Sequence, residues 1–141
     1  VGSVASMLSS APTIREAARG GDLADIVAGL TALTEADDDW LAESAGNLAA
    51  GCPTTAHLIH DQLETGRYLS LAQAVQRELA MALACCRHAD FAEGVRALLV
   101  DKDKTPAWRY DSVAAVPDQH VADHFVPGWS GAHPLADLGP H

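Results

Sequence analysis

Aromatic residues, cysteine and positive charge are all scarce in this sequence. Aromatics account for 5% of its 141 residues. With β-branched residues also sparse, there is too little strand-forming material for an extended sheet. Lys and Arg number nine against 19 Asp and Glu, a formal net charge of −10. Nucleic acid is thereby excluded as a partner, because neutralising phosphates needs a basic surface. An anionic membrane surface is disfavoured for the same reason. The three cysteines are odd in number. Cys85 and Cys86 are adjacent in a predicted helix and point about 100° apart, so they are poorly placed to pair. No CxxC spacing supports a zinc site. The cysteines read as small buried hydrophobes in a reducing compartment. No apolar run approaches the roughly 20 residues that cross a bilayer, and the segment near Val1 lacks the basic start of a signal peptide. The expectation is a soluble, cytoplasmic protein.

What is present is Ala, Leu and Val, which make up most of the 48% hydrophobic content. Ala loses no side-chain entropy in a helix, so this composition predicts an all-α fold of about six short to medium helices. Punctuation divides them. Thr13 with Glu16 forms a capping-box pattern for a short helix to Arg19. Asp22 caps a second helix to about Leu33, with Leu23, Ile26, Val27 and Leu30 on one face. Asp37, Asp38 and Asp39 open a third, complementing the helix dipole, and Gly51 stops it. Pro53 suits the first turn of a fourth. Ser70 caps the longest helix, to about Arg87, whose stripe Leu71, Val75, Leu79, Ala82 and Cys86 should face inward. Asp90 and Glu93 form a second capping-box pattern, with Val95, Leu98 and Leu99 inward. DKDKTPAW has alternating charge, no apolar period and a Pro, so it reads as a loop. Pro117 to Phe125 can form a last short helix. The expected organisation is a helical domain over 1–126 and a weakly ordered Gly/Pro-rich tail over 127–141.

Charge is uneven. Seven acids and no Lys or Arg lie between Asp22 and Glu43. Arg87, Arg96, Lys102, Lys104 and Arg109 cluster in the C-terminal half, a local relief that could accept a phosphate-bearing ligand. Leu98 and Leu99 beside Lys102 offer an apolar platform with an ammonium, which suits an adenine ring bearing a phosphate. Core leucines and a solvated lysine are the plainer reading of the same residues. His57-x-x-His60-Asp61 puts two imidazoles one turn apart, but further ligands and the HExxH pattern are missing, so no metal site is assigned. No GxSxG elbow or glycine-rich phosphate loop occurs.

ADFAEGVRALLVDK, residues 89–102, has Asp90, Phe91, Glu93, Gly94, Ala97 and Leu98 followed by Lys102. It resembles a D-F-x-E-G-x-x-A-[FL] pattern near the C-terminus of crotonase (enoyl-CoA hydratase/isomerase) superfamily proteins, with one extra residue before the lysine. GVRALLVDKDKTPAW resembles the 3-hydroxyisobutyryl-CoA hydrolase branch. So does CPTTAHLIHDQL, with Cys52 where that branch has Ser. IREAARGGDLADIVAGLTA is similar, more loosely, to the helical insertion upstream. The resemblance spans about Ile14 to Phe125. It implies the C-terminal helical part of an acyl-CoA thioester hydrolase of valine catabolism. It also implies that Leu98 or Leu99 and Lys102 lie near the adenosine end of coenzyme A. The oxyanion-hole glycines and catalytic carboxylates of such enzymes belong to an α/β core that nothing here matches, so no catalytic residue is assigned. The expected partners are that core or a second copy of the chain, and acyl-CoA through the parent enzyme. No cofactor is expected beyond the coenzyme A carried by the substrate. A stand-alone helical interaction or oligomerisation protein, or the tail of an enoyl-CoA hydratase, is the alternative.

Overall fold

A computed structural model describes residues 4–138. The described residues form seven α-helices and no strand, as the composition predicts. They fall into two compact units, divided between Gly51 and Cys52.

The first unit holds α1 (Val4–Ala17), α2 (Leu23–Thr31), a 3-10 turn (Ala32–Glu35) and α3 (Asp39–Ala49). The expected start at Thr13 is overturned, because α1 runs through Pro12 and Thr13 from Val4. Proline deletes one backbone bond and crowds the preceding turn, yet the helix continues across it. Asp22 caps α2 as expected, its Oδ1 accepting from Asp25 N at 2.9 Å. Asp38 caps α3 by accepting from Trp40 N and Leu41 N. Its other oxygen accepts from Ser10 Oγ at 3.1 Å, tying α1 to α3. A Cβ on Gly29 would lie 2.0 Å from Ala17 O, so the close approach of α2 to the end of α1 requires glycine. Leu41 and Ala45 form the buried centre.

The second unit holds α4 (Pro53–Gly66), α5 (Leu71–Arg87), α6 (Ala89–Val95), a π turn (Arg96–Val100), a 3-10 turn (Val113–Ala115) and α7 (Asp118–Asp123). Pro53 opens α4 as expected. Ser70 caps α5 with Gln73 in a complete reciprocal capping box. Arg77 on α5 pairs with Asp61 on α4 and lies 3.7 Å from the Phe125 ring centroid, so one cation joins three segments. The segment after α7 is tied back to α5. His133 Nε2 donates to Gln76 O at 3.1 Å, and Gln76 Nε2 donates to Leu135 O at 2.8 Å.

Alanine predominates among the buried hydrophobic residues of this unit. Its buried hydrophobics are Leu58, Ala80, Ala84, Ala97 and Val116. Two inward expectations are therefore overturned. On α5 the packed positions are Ala80 and Ala84, while Leu71 is 82% exposed and Val75, Ala82 and Cys86 are also open. After α6 the packed residue is Ala97, while Leu98 and Leu99 are exposed. Helices that meet through alanine approach closely, and that close approach leaves the larger leucines no interior space. Replacing Ser70 with Ala removes the α5 cap and should lower unfolding stability by about 1 kcal/mol, measurable as a reduced denaturation midpoint at unchanged slope.

Candidate functional site

A cavity of about 310 Å³ opens in the second unit, lined among others by Thr54, Leu58, Cys85, Phe91, Leu98 and Leu99. The start of α4, the end of α5, α6, the π turn and His124 at the C-terminal cap of α7 all contribute to it. Its wall is almost wholly apolar, with a few polar groups, which is the usual character of a small-molecule or docking pocket.

Asp90 organises one side. The expected capping box at Asp90 and Glu93 does not form. His88 is the cap of α6, and both acids lie inside the helix. Asp90 Oδ2 instead accepts from Thr54 Oγ1 at 3.2 Å and Cys52 Sγ at 3.5 Å, and Oδ1 accepts from Arg109 N at 2.8 Å. One carboxylate therefore links α4, α6 and the loop before the 3-10 turn. Cys52 stands at the cap of α4 without a side-chain capping bond, its thiol turned to Asp90.

Glu93 serves the other side through Arg96. Arg96 donates Nε and Nη2 to Glu93 at 2.9 and 2.7 Å, and Nη1 to Asp101 at 2.7 Å and Asp103 at 2.6 Å. It also donates to Thr105 O at 3.3 Å. Glu93 accepts in turn from Ala107 N at 2.7 Å. The Arg96 hydrogen bonds, then that of Ala107, hold the Glu93 carboxyl down to about 2. The same guanidinium holds Asp103 below its ordinary value. Charge-assisted, forked bonds of this kind define a loop geometry sharply. Trp108 then lies over α6, where a Cβ on Gly94 would be 3.2 Å from its ring, so glycine makes room for the indole.

Within this loop Lys102 and Lys104 both have φ of 57°, the left-handed region that non-glycine residues rarely adopt. Lys104 N donates to Ala97 O at 3.1 Å, and Asp101 N donates to Arg96 O at 2.8 Å, the bond of the π turn. A π turn closes over one more residue than an α turn.

Of the residues singled out by sequence, Leu98 and Leu99 line the cavity, whereas Lys102 is exposed and is not among its lining residues. His57 Nε2 donates to Val113 O at 2.9 Å, and Asp61 is engaged by Arg77, so this pair has structural duties. Sequence reasoning placed Arg96 in a phosphate-accepting basic cluster and missed that it is bonded to Glu93, Asp101 and Asp103. Its signal is an arginine with acids at −3, +5 and +7. It also missed three histidines beside the cavity, His88, His120 and His124. Burial, then His124 and Arg109, push His88 below its ordinary value; burial, then His124 and His88, do the same for His120. Burial raises Cys85, helped by Cys86 and Cys52.

A family model described as enoyl-CoA hydratase/isomerase matches residues 2–125. The chain belongs to the enoyl-CoA hydratase/isomerase family. Curated relatives include the mitochondrial 3-hydroxyisobutyryl-CoA hydrolase of Danio rerio, 39% identical over 59% of this chain and 22% of that protein. The enzyme of the same name in Homo sapiens is 36% identical over 52% of this chain and 19% of its own length. A crystal structure of an enoyl-CoA hydratase from Rhodobacter sphaeroides superposes with a TM-score of 0.63 and 28% identity, covering 84% of this chain and 36% of that one. The chain thus spans about a fifth of the length of these hydrolases. They are named mitochondrial, which differs from the cytoplasmic expectation drawn from this sequence. Among the described residues no helix is long and apolar enough to cross a membrane.

Replacing Glu93 with Ala should release the 101–108 loop at neutral pH, seen as faster amide exchange at Ala107. In the unmodified chain Glu93 has a depressed folded-state value. Its contribution is present above the ordinary 4.5 and is lost as pH falls through about 2. Ala107 protection should therefore survive at pH 4 and collapse near pH 2.

Proposed function

We propose that this chain is the C-terminal helical part of a 3-hydroxyisobutyryl-CoA hydrolase-like enzyme of valine catabolism, packing on the catalytic α/β core and helping to close the coenzyme A site. The observation that carries the reading is the open apolar wall made by Phe91, Leu98 and Leu99 beside a braced, lysine-bearing loop. Leucine faces accept the flat adenine ring by dispersion and area burial. An ammonium on the adjoining loop accepts a phosphate as a point charge. Arg96 engages Asp101 and Asp103 and so braces the loop that carries the two lysines. Thioester cleavage needs groups that polarise the carbonyl and move protons. Those are assigned to the core, and this chain supplies binding surface.

The similarity to a hydratase structure keeps one rival in view, a parent that adds water to an enoyl-CoA. Assaying the parent with 3-hydroxyisobutyryl-CoA and crotonyl-CoA side by side decides between them. Free coenzyme A release from the former with no hydration of the latter supports the proposal, and the reverse result overturns it. The purified chain alone should hydrolyse neither ester; measurable thioesterase activity would place catalytic groups within it. Native mass spectrometry should show self-association or a bound core-sized polypeptide. A clean monomer that binds no apolar dye contradicts the packing role. In the intact enzyme Lys102→Ala should raise KM for the CoA ester by up to about tenfold with kcat little changed, the mark of a uniform binding contact. An unchanged KM removes Lys102 from the site.

A further inference from the structure

Three imidazoles converge where α7 meets the α5–α6 junction. His120 and His124 are four residues apart, on one turn of α7 and its C-terminal cap, and so share a face. His88 stands between α5 and α6, serving as the end of one helix and the start of the next. One ring nitrogen from each histidine lies within 4.8 Å of the other two. His88 stacks on His124 with centroids 4.3 Å apart, and His120 meets both rings edge-on at 4.9 Å.

Two features go beyond proximity. His124 Nδ1 lies 2.8 Å from His120 O. A carbonyl only accepts, so Nδ1 carries the hydrogen and Nε2 presents a lone pair. A backbone carbonyl on the second nitrogen is the usual way a metal-ligating histidine is oriented. Moreover, His120 is 8% exposed, and its Nε2 is buried without a hydrogen-bond partner. Burying a polar atom unpaired is costly, and such an atom calls for an explanation.

We infer that His88, His120 and His124 form a binding site for one first-row divalent transition-metal ion of the zinc class, its remaining coordination position open to the cavity. Imidazole nitrogen suits zinc, cobalt and nickel. Three protein ligands with one open position is an established coordination pattern. His88 and His124 both line the cavity, which provides that opening. Nitrogens about 2.0–2.1 Å from a tetrahedral ion sit about 3.3 Å apart, so the rings must draw together by side-chain rotation. The charged side chains that act on these rings are Arg109, Asp90 and Asp123, two carboxylates against one guanidinium. The bound ion would fasten α7 to the α5–α6 junction, closing a unit whose own aliphatic interior is small. This inference is independent of the acyl-CoA reading.

The test is a titration of the metal-free full chain with Co²⁺ and Zn²⁺, read by visible absorption and calorimetry. The expected result is one ion per chain, Co²⁺ bands of a nitrogen-ligated site and a raised melting temperature. His120→Ala and His88→Ala should each weaken binding by at least about tenfold. His88 is the least buried of the three, so His88→Ala decides the matter if His120→Ala does not fold. Cys86→Ser and His60→Ala should leave binding unchanged. No ion bound at about 1 mM metal, binding that survives His88→Ala, or binding lost with Cys86→Ser or His60→Ala overturns the site.

Discussion

The Arg96 guanidinium is the interaction on which the functional face depends. It lies at the start of the π turn and reaches back to Glu93 and forward to Asp101, Asp103 and Thr105. Through Glu93 the same clamp holds the Ala107 amide, next to the Trp108 indole that covers Gly94. A loop of alternating charge has no apolar period to order it. Here a single forked cation supplies that order, and two lysines are held in a backbone conformation that costs energy elsewhere. Each bond is near the surface and modest alone; their convergence on one rigid plane makes the geometry definite.

The second constraint is the size of the interior. Ala80, Ala84 and Ala97 let helices approach closely, and little aliphatic volume is enclosed. Polar and ionic ties take over much of the joining: Asp90 across three segments, Arg77 between Asp61 and Phe125, and His133 and Gln76 between α5 and the last described segment. The leucines displaced from the interior line the cavity or stand open. That pattern explains why a unit with well-capped helices still presents an apolar wall suited to covering by another surface.

Much of the helical frame was legible in the residues. Asp22, Asp38 and Ser70 cap where their side chains can reach the next backbone N–H groups, and Pro53 starts α4. These are local rules, satisfied within three or four residues. Thr13 shows their limit, since a capping pattern inside a longer helix is indistinguishable from a true start until the preceding turn is known. Asp90 and Glu93 show it again. Their spacing fits a capping box, but each carboxylate has better partners far along the chain, at Thr54 and Arg109 for one and at Ala107 for the other.

The sequence by itself determined the all-α class, most helix limits, the loop at DKDKTPAW and the family, because composition, caps and a specific motif are short-range information. Only the tertiary structure decided which face of each helix is covered. Periodicity marks an apolar stripe but not what it meets, so Leu71, Leu98 and Leu99 could be read inward and are found outside. Tertiary structure alone also brought His88 beside His120 and His124, since they lie 32 and 36 positions further along the chain and only the docking of α7 closes that distance.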